Sequence, residues 1–189
     1  MADSKRVAVI GAGPAGLVTL KTLLQDGHRA TCYEMSPTIG GVWNYEAFKT
    51  DCGYQLVDDY DQPIQAVYKS LWQNTSKQIS SFSDFPAGDE YNLFMSHWEY
   101  KDYVEKYAEH FQLMQHIHLD TKVTKLEKKG SSWILQALHK EKGKVEEVFD
   151  FVMVATGCFK FPYVPEIPGL KDRYKGLALH TAQVRELGA

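Results

Sequence analysis

A glycine-rich segment near the start of the chain has the composition of a phosphate-binding loop. It reads Gly11-Ala12-Gly13-Pro14-Ala15-Gly16 and matches the spacing G-x-G-x-x-G. The first glycine permits a tight turn, the second lets the backbone approach a pyrophosphate, and the third lets a helix pack closely on a strand. A helix that begins at Pro14 would also offer free backbone N–H groups and a partial positive charge to a phosphate.

An acidic residue follows at a distance suited to a ribose. Glu34 lies 18 residues beyond Gly16, close to where dinucleotide-binding units place a carboxylate against ribose hydroxyls. A carboxylate accepts hydrogen bonds from those hydroxyls and repels a 2′-phosphate, so the loop is predicted to hold FAD or NAD rather than NADP. The motif by itself leaves a flavoprotein and an NAD-dependent dehydrogenase both open.

The segments on either side of the loop predict a β–α–β unit. Hydrophobic patterning favours a strand over residues 6–10, a helix over 14–26 that ends before Gly27, and a second strand over 30–34. Such a unit within about 30 residues is typical of a doubly wound parallel sheet.

A longer helix is predicted by the capping box Ser96-x-x-Glu99, in which each side chain can satisfy a backbone N–H of the other residue. Its apolar positions recur at helical spacing: Tyr100, Tyr103, Val104, Tyr107, Ala108 and Phe111. We interpret this stripe as core packing. A further short helix is predicted over residues 65–71.

The second half of the chain favours strands. They are predicted over residues 121–126, 133–138, 145–149 and 151–154. A hairpin turn containing Gly143 joins the second strand to the third, and the continuous apolar run of the last predicts a central strand of the main sheet. We therefore expect an α/β fold, a doubly wound Rossmann-like domain with a parallel sheet and an antiparallel β-meander or hairpin.

Composition excludes several classes of protein. Of the 189 residues, 44% are hydrophobic and 24% charged, which fits a globular chain rather than a disordered one. A net charge of −3 gives no electrostatic footprint for nucleic acid. The apolar runs are too short and too interrupted to span a bilayer, so we expect a cytoplasmic protein.

Neither a metal centre nor a dithiol centre is predicted. Cys32, Cys52 and Cys158 are widely spaced without a C-x-x-C, and we expect them to be reduced. His116 and His118 could share one face of a strand, but a third ligand is not identifiable. The acidic residues between positions 51 and 61 fit a solvated loop better than a metal site, because no histidine or ligand spacing accompanies them.

Further motifs follow the glycine loop in a fixed order. They are Gly40-Gly41-Val42-Trp43-Asn44-Tyr45, Asn74-Thr75-Ser76-Lys77, Phe82-Ser83-Asp84-Phe85-Pro86, Ala155-Thr156-Gly157 and the segment from Tyr174 to His180. In this order they closely resemble the flavin-containing monooxygenases, the class B flavoprotein monooxygenases of the dimethylaniline (N-oxide-forming) type. The resemblance extends from Arg6 to about Val184.

The resemblance implies an oxidoreductase that uses FAD and NADPH. In this family NADPH reduces FAD, the reduced flavin takes up O₂ to form a C4a-hydroperoxide, and bound NADP⁺ protects that intermediate. One oxygen atom then passes to a soft nitrogen or sulfur nucleophile. The cofactor supplies the chemistry, while the protein binds, orients and excludes water. The implied partners are therefore a small-molecule substrate and O₂.

The resemblance also implies roles for individual residues. Those implied to bind FAD are Gly11, Ala12, Gly13, Pro14, Ala15, Gly16, Glu34, Gly40, Gly41, Val42, Trp43, Asn74, Thr75, Val123, Ala155, Thr156 and Gly157. Asn74 matches the family asparagine beside the flavin and the nicotinamide, and it is the implied catalytic residue. Its neutral amide is both a donor and an acceptor, so it can hold the oxygenated flavin without supplying a proton.

The domain order of the family implies that residues 1–160 form the N-terminal portion of an FAD-binding domain. Residues 161–189 would be a linker toward an NADPH-binding domain outside this chain. Val184 stands where the family signature ends in an aromatic residue, which disfavours a Baeyer–Villiger enzyme. A non-catalytic FAD-binding fragment and an NAD-dependent dehydrogenase remain alternatives. A membrane anchor beyond the chain is compatible with the family, and the residues do not predict an oligomeric state.

Overall fold

The computed structural model of the chain describes residues 3–45, 67–158, 163, 165–178 and 180. It begins with the predicted β–α–β unit, formed by strand β1 (Arg6–Ile10), helix α1 (Pro14–Gln25) and strand β2 (Arg29–Tyr33). Each boundary lies within one residue of its predicted position, because the hydrophobic period and the flanking glycines are local signals. Gly27, at φ +82°, follows α1 in the left-handed conformation that glycine adopts most easily.

Two further helices and five further strands are present in the part of the chain that the structure describes. They are α2 (Lys77–Ser80), α3 (His97–His110), β3 (Ile117–His118), β4 (Thr121–Lys129), β5 (Ser132–His139), β6 (Gly143–Phe149) and β7 (Phe151–Val154). The hairpin between β5 and β6 is confirmed, and Gly143 opens β6 with φ +79°.

The strands form two sheets. Strands β3, β2, β1 and β7 lie in that order in a parallel sheet, whereas β4, β5 and β6 form an antiparallel one. In the parallel sheet Ile10 pairs with both Tyr33 and Val154, so β1, β2 and β7 end at the same edge. The carboxyl edge of such a sheet is where α/β proteins bind ligands.

Strand β7 returns to the main sheet as expected but does not lie at its centre. Among the described residues β7 is an edge strand beside β1, and Phe151, Met153 and Val154 are exposed. A continuous apolar run indicates a strand that can be covered on both faces. It does not specify how many strands lie on either side, which depends on contacts distant in the sequence.

The parallel sheet lies between the helices and the antiparallel sheet. Val9 and Cys32 face a core cluster that includes residues of α1 and α3. Ala8 and Tyr33, one position away in each strand, face a second cluster with Phe149 of the antiparallel sheet. This alternation is the two-residue period of a strand buried on both faces.

Helix α3 begins at the predicted capping box. Ser96 Oγ accepts a hydrogen bond from the Glu99 N–H (3.3 Å), and Glu99 Oε2 accepts one from the Ser96 N–H (2.8 Å). The apolar stripe from Tyr100 to Ala108 is buried, which confirms its interpretation as core. Phe111 follows as the C-cap and is half-buried.

The short helix predicted over residues 65–71 is wrong for the part that the structure describes. Residues 67–71 form a turn, and residues 65 and 66 lie outside the described range. The segment instead approaches the start of α3: Trp72 pairs with Ser96, and the Leu71 carbonyl accepts from the His97 N–H (3.1 Å). These tertiary hydrogen bonds override a weak local helix preference.

The remaining predictions concern the pair His116 and His118, metal binding, membrane spans and two segments of the chain. His116 lies in a 3₁₀ turn rather than in a strand, and His118 stacks on Tyr33 with ring centroids 5.4 Å apart. Within the described ranges no three metal-binding side chains cluster, and no helix is long and apolar enough to cross a membrane. The acidic segment 51–61 lies outside the described residues, as do residues 161, 162, 164, 179 and 181–189. The solvated loop predicted for 51–61 and the linker predicted for 161–189 remain predictions.

Candidate functional site

The glycine loop between β1 and α1 is packed so tightly that two of its glycines have no space for a side chain. Gly11 has φ +99°, and a Cβ added there would lie 2.5 Å from the carbonyl oxygen of Ala155. A Cβ added at Gly16 would overlap the carbonyl oxygen of Gly11. The first and third glycines of the motif therefore provide the tight turn and the close packing of α1 that the spacing predicts.

The second glycine of the loop faces the 3₁₀ turn Gly41–Trp43. A Cβ added at Gly41 would lie 3.0 Å from the Cα of Gly13, and the Gly40 N–H donates to the carbonyl of Ala12 (2.9 Å). Gly40 and Gly41 have φ values of +108° and +57°, a conformation that favours glycine. The two glycine motifs, distant in sequence, are thus in direct backbone contact.

The first turn of α1 presents backbone N–H groups that could donate hydrogen bonds to an anion. The N-cap is Gly13, which has no side chain to satisfy them, and Pro14 follows at a position where a missing N–H costs little. Ala15 in the same turn is exposed, and the turn contains no acidic residue to repel an anion. This arrangement suits a phosphate.

Glu34 lies buried at the end of β2, with its carboxylate against the same loop. Its Oε2 accepts a hydrogen bond from the Ala12 N–H (2.7 Å), and its Oε1 accepts one from the Ser36 N–H (2.9 Å). A carboxylate has about four acceptor positions, so each oxygen keeps one for a further donor. The backbone of Glu34 is also fixed, because its N–H donates to the backbone carbonyl of His118 (2.9 Å) and its carbonyl accepts from the backbone N–H of Thr121 (2.8 Å).

Cys32 stabilises the loop in a way that sequence reasoning missed. Its buried thiol lies 3.5 Å from the carbonyl oxygen of Gly11, and the Gly11 N–H donates to the carbonyl of Tyr33 (2.8 Å). Burial raises the pKa of the Cys32 thiol to about 12, with the charge of Glu34 adding to the effect. The group therefore remains a thiol and acts as a weak donor.

The Ala155-Thr156-Gly157 turn closes the site from the other side of β1. The Ala155 N–H donates to the carbonyl of Ile10 (2.8 Å), which continues the pairing of β7 with β1. Gly157 adopts φ +78°, and both Thr156 and Gly157 are exposed at the carboxyl edge of the sheet. Any ligand on the glycine loop would lie beside this turn.

The 3₁₀ turn is held in place by α3. The indole of Trp43 packs on Tyr100 with ring centroids 4.5 Å apart, and the side chain of Lys101 lies against Gly40. Val42, between the two, is half-buried. Helix α3 therefore fixes the turn that faces the glycine loop.

Asn74 lies on a segment that runs alongside the residues leading into α3. The Gln73 N–H donates to the carbonyl of Met95 (2.8 Å), and the Lys77 N–H donates to that of Leu93 (2.7 Å). Asn74 and Thr75 are both exposed. Asn74 and Trp43 are thus connected through α3 and the residues that lead into it.

Lys77, the last residue of the Asn74 motif, has a structural role that sequence reasoning did not assign. Its ammonium group donates to the carbonyls of Gly88 (2.7 Å) and Tyr91 (2.9 Å), and its side chain is largely buried. It therefore holds the loop before α3 rather than facing a ligand. The sequence does not show that Lys77 is buried, because the fold alone brings its two carbonyl partners to it.

Val123 belongs to the antiparallel sheet and lies next to a bulge in β4. It packs on the cluster that contains Tyr33, which adjoins Glu34 at the end of β2. The Tyr33 hydroxyl donates to Glu147 of β6 (2.7 Å), and burial together with that carboxylate raises the pKa of Tyr33. Arg6, at the amino end of β1, donates to the same carboxylate (3.0 Å), so Glu147 ties the antiparallel sheet to the parallel one.

Taken together, the structure joins the glycine loop directly to three other predicted groups. These are Glu34, the Gly40–Gly41 backbone and the Ala155 turn. Asn74 is connected to the site through the residues that lead into α3, and Val123 is connected through the cluster that contains Tyr33. The amide of Ser36 and the thiol of Cys32 complete the site, but no sequence motif marks them.

A sequence model described as flavin-binding monooxygenase-like matches residues 4–188. Human flavin-containing monooxygenase 1 is 33% identical over 189 residues, which cover 96% of this chain and 33% of that protein. Mouse dimethylaniline monooxygenase (N-oxide-forming) 4 is 35% identical over 190 residues, which cover 96% of this chain and 31% of that protein. The chain therefore spans about a third of the length of the curated relatives it matches.

Solved structures share the same fold. The S-allyl-L-cysteine S-oxygenase from Allium sativum superposes with a TM-score of 0.84 at 31% identity. The match covers 97% of this chain and 43% of that protein.

Proposed function

The chain belongs to the flavin-binding monooxygenase-like family, and on that premise we propose that it forms the FAD-binding part of an NADPH-dependent monooxygenase. The substrates proposed are soft nitrogen or sulfur nucleophiles. The observation that carries the proposal is the contact of three separate turns around the start of α1: residues 11–16, 40–43 and 155–157. Bound FAD would supply electron transfer and oxygen activation.

The glycine loop fits the pyrophosphate of FAD. The first turn of α1 offers N–H groups without a capping side chain, and Gly13 presents only backbone toward the approaching group. Tight packing at Gly11 and Gly16 keeps that backbone fixed before a ligand binds. A preorganised donor set needs little rearrangement to accept the phosphate oxygens.

Glu34 fits the adenosine ribose. Both carboxylate oxygens are held by backbone N–H groups, and each keeps an acceptor position for one hydroxyl of a vicinal diol. The same charge disfavours a 2′-phosphate. This supports FAD as the ligand of this loop, and in this proposal NADPH binds at a different site. Val123 of β4 packs on the cluster that contains Tyr33, and in this proposal it contacts the adenine.

The flavin side of the site is assigned to the turn Gly41–Trp43 and to Asn74. The glycines allow close approach of the backbone, and the indole of Trp43 offers a flat apolar surface. Asn74 is exposed and neutral, and its amide can donate and accept hydrogen bonds without releasing a proton. In this proposal Asn74 orients the reacting part of the cofactor.

The names of two relatives support the proposed substrate class. One is a dimethylaniline monooxygenase of the N-oxide-forming type, and the other is an S-oxygenase of S-allyl-L-cysteine. Both names describe oxygenation of an electron-rich heteroatom. We extend that class, and not either compound, to the present chain.

The proposal is tested by titrating the purified chain with FAD and following the quenching of flavin fluorescence, with NAD titrated in parallel. Saturable FAD binding, with visible flavin absorbance retained after gel filtration, is the expected result. Binding of NAD in place of FAD would indicate an NAD-dependent dehydrogenase instead. A chain that is folded by circular dichroism and binds neither nucleotide would overturn the proposal.

A further inference from the structure

His97 is fully buried at the first position of α3 and contacts the segment that precedes Asn74. Its backbone N–H donates to the carbonyl of Leu71, and its ring Nε2 lies 3.1 Å from the carbonyl oxygen of Lys69. One residue therefore holds that segment at two points. Neither bond is visible in the sequence, where His97 reads only as the residue after a helix cap.

The ring contact defines which nitrogen of His97 carries the proton. A carbonyl oxygen only accepts hydrogen bonds, so Nε2 must be the donor, and the neutral ring then has a bare Nδ1. Burial lowers the pKa of His97 and favours that neutral form. The buried Nδ1 lacks a hydrogen-bond partner within the described residues, so the ring orientation is the one that satisfies Nε2.

The segment held by His97 leads directly to Asn74. The Gln73 N–H donates a hydrogen bond to the carbonyl of Met95 (2.8 Å), so the chain from Lys69 to Gln73 lies along the residues that lead into α3. Asn74 follows at the exposed end of this pairing. A shift of the segment would move the Asn74 amide relative to the 3₁₀ turn, which α3 holds through Trp43.

We infer that His97 is a positioning residue that fixes Asn74 through residues 69–73. This inference rests on the proposed function, in which Asn74 contacts the flavin. His97 itself does not touch the cofactor. Its ring donates one hydrogen bond to the Lys69 carbonyl, and that bond holds the backbone that leads to Asn74.

Two substitutions separate the donor from the bulk of the side chain. His97→Gln places an amide N–H near the position of Nε2, whereas His97→Asn is shorter and cannot reach the Lys69 carbonyl. Because H97N loses one hydrogen bond, we expect it to raise the rate of amide hydrogen exchange over residues 71–74 by about 3- to 10-fold. The exchange rates of H97Q should stay within about 2-fold of the wild type. The visible circular dichroism of bound FAD should change in H97N and not in H97Q.

A double-mutant cycle tests whether His97 acts through Asn74. Asn74→Ala should itself alter the visible circular dichroism of bound FAD, and H97N should cause no further change in that background. Nitrogen-15 NMR of the wild-type chain should show His97 protonated at Nε2, a readout that requires no variant to fold.

The outcomes distinguish the inference from the function on which it rests. If N74A leaves the flavin spectrum unchanged, the proposed role of Asn74 is wrong and the inference is overturned with it. If N74A has its effect but H97N and H97Q behave alike, the inference alone is overturned. The inference is also overturned if H97N changes the flavin spectrum equally in the wild type and in N74A. A proton on Nδ1 of His97 in the wild-type chain would overturn it as well.

Discussion

Gly13 and Gly16 differ in what an added methyl group would contact. Substitutions at the two positions can therefore distinguish an effect on folding from an effect on ligand binding. At Gly16 the methyl would overlap the carbonyl of Gly11, whereas at Gly13 the nearest atom is the Cα of Gly41 at 3.6 Å, an ordinary contact. Gly13 also has φ −73°, which alanine adopts readily. The fold therefore requires glycine at the third position of the motif but not at the second.

We predict that Gly13→Ala folds with a melting temperature close to that of the wild type but binds FAD at least about 10-fold more weakly, because the methyl occupies the approach of the pyrophosphate. Gly16→Ala should instead lose the cooperative thermal transition. Thermal denaturation and FAD titration measure the two effects separately. Wild-type FAD affinity in G13A would remove the loop from the binding site.

Glu34 is expected to contribute directly to FAD affinity. Replacing it with alanine removes the acceptors for the ribose hydroxyls, and a hydrogen bond to a charged group contributes about 1.5–3 kcal/mol. Glu34→Ala should therefore weaken FAD binding by about 10- to 150-fold in a fluorescence titration. The control is Glu127→Ala, since Glu127 pairs with Lys125 on the edge strand β4. Equal affinities for the two variants would contradict the assignment of Glu34.

At the scale of elements, the start of α3 depends on its capping box. Glu99→Ala removes the acceptor for the Ser96 N–H and is expected to cost about 1 kcal/mol, which lowers the melting temperature by about 2–4 °C. Glu99→Gln keeps an acceptor for that bond but removes the charge, so at neutral pH it should melt between the wild type and E99A. Indistinguishable melting of all three proteins would show that the box adds no stability.

The same residue gives the helix a pH dependence. Partial burial raises the pKa of Glu99, but hydrogen bonds from Asn92 and Ser96 outweigh it and hold the pKa below its ordinary value. The stability due to the charged carboxylate is therefore present at neutral pH and is lost as the pH falls through that lowered pKa. We expect the difference in melting temperature between wild type and E99Q to vanish in that acidic range.

Elements with local signals were predictable from the sequence, and those set by distant contacts were not. The limits of α1 follow from its glycines and apolar period, and α3 follows from Ser96 and Glu99. By contrast, residues 67–71 are held by His97, which lies far along the chain. A local pattern has no access to such a partner, so the predicted helix there was wrong.

The candidate site shows the same division. Glycine spacing and the position of Glu34 reveal the loop and its acid, because dinucleotide binding constrains both. The thiol of Cys32 and the amide of Ser36 join them only through the folded geometry. Asn74 was assigned from a resemblance, and its place beside the flavin remains a prediction.

At the scale of the whole molecule, this 189-residue chain is expected to bind FAD without oxidising NADPH. The sequence contains a single G-x-G-x-x-G loop, and Glu34 makes that loop a poor host for a 2′-phosphate. The flavin should therefore be reduced by dithionite but not by NADPH in an anaerobic mixing experiment. Bleaching by NADPH at a rate proportional to protein concentration, without an added reductase, would show that the chain is catalytically complete.

The contact between Gly11 and Ala155 also bears on how the chain is made. A ribosome that adds about 5–20 residues per second needs roughly 7–30 s to travel from one of these residues to the other. During that interval β1, α1 and β2 exist in the nascent chain while the turn that closes their edge has not been synthesised. In the proposed function, cofactor capture is therefore a late event of biosynthesis, and the edge of β1 that pairs with β7 stays open until then.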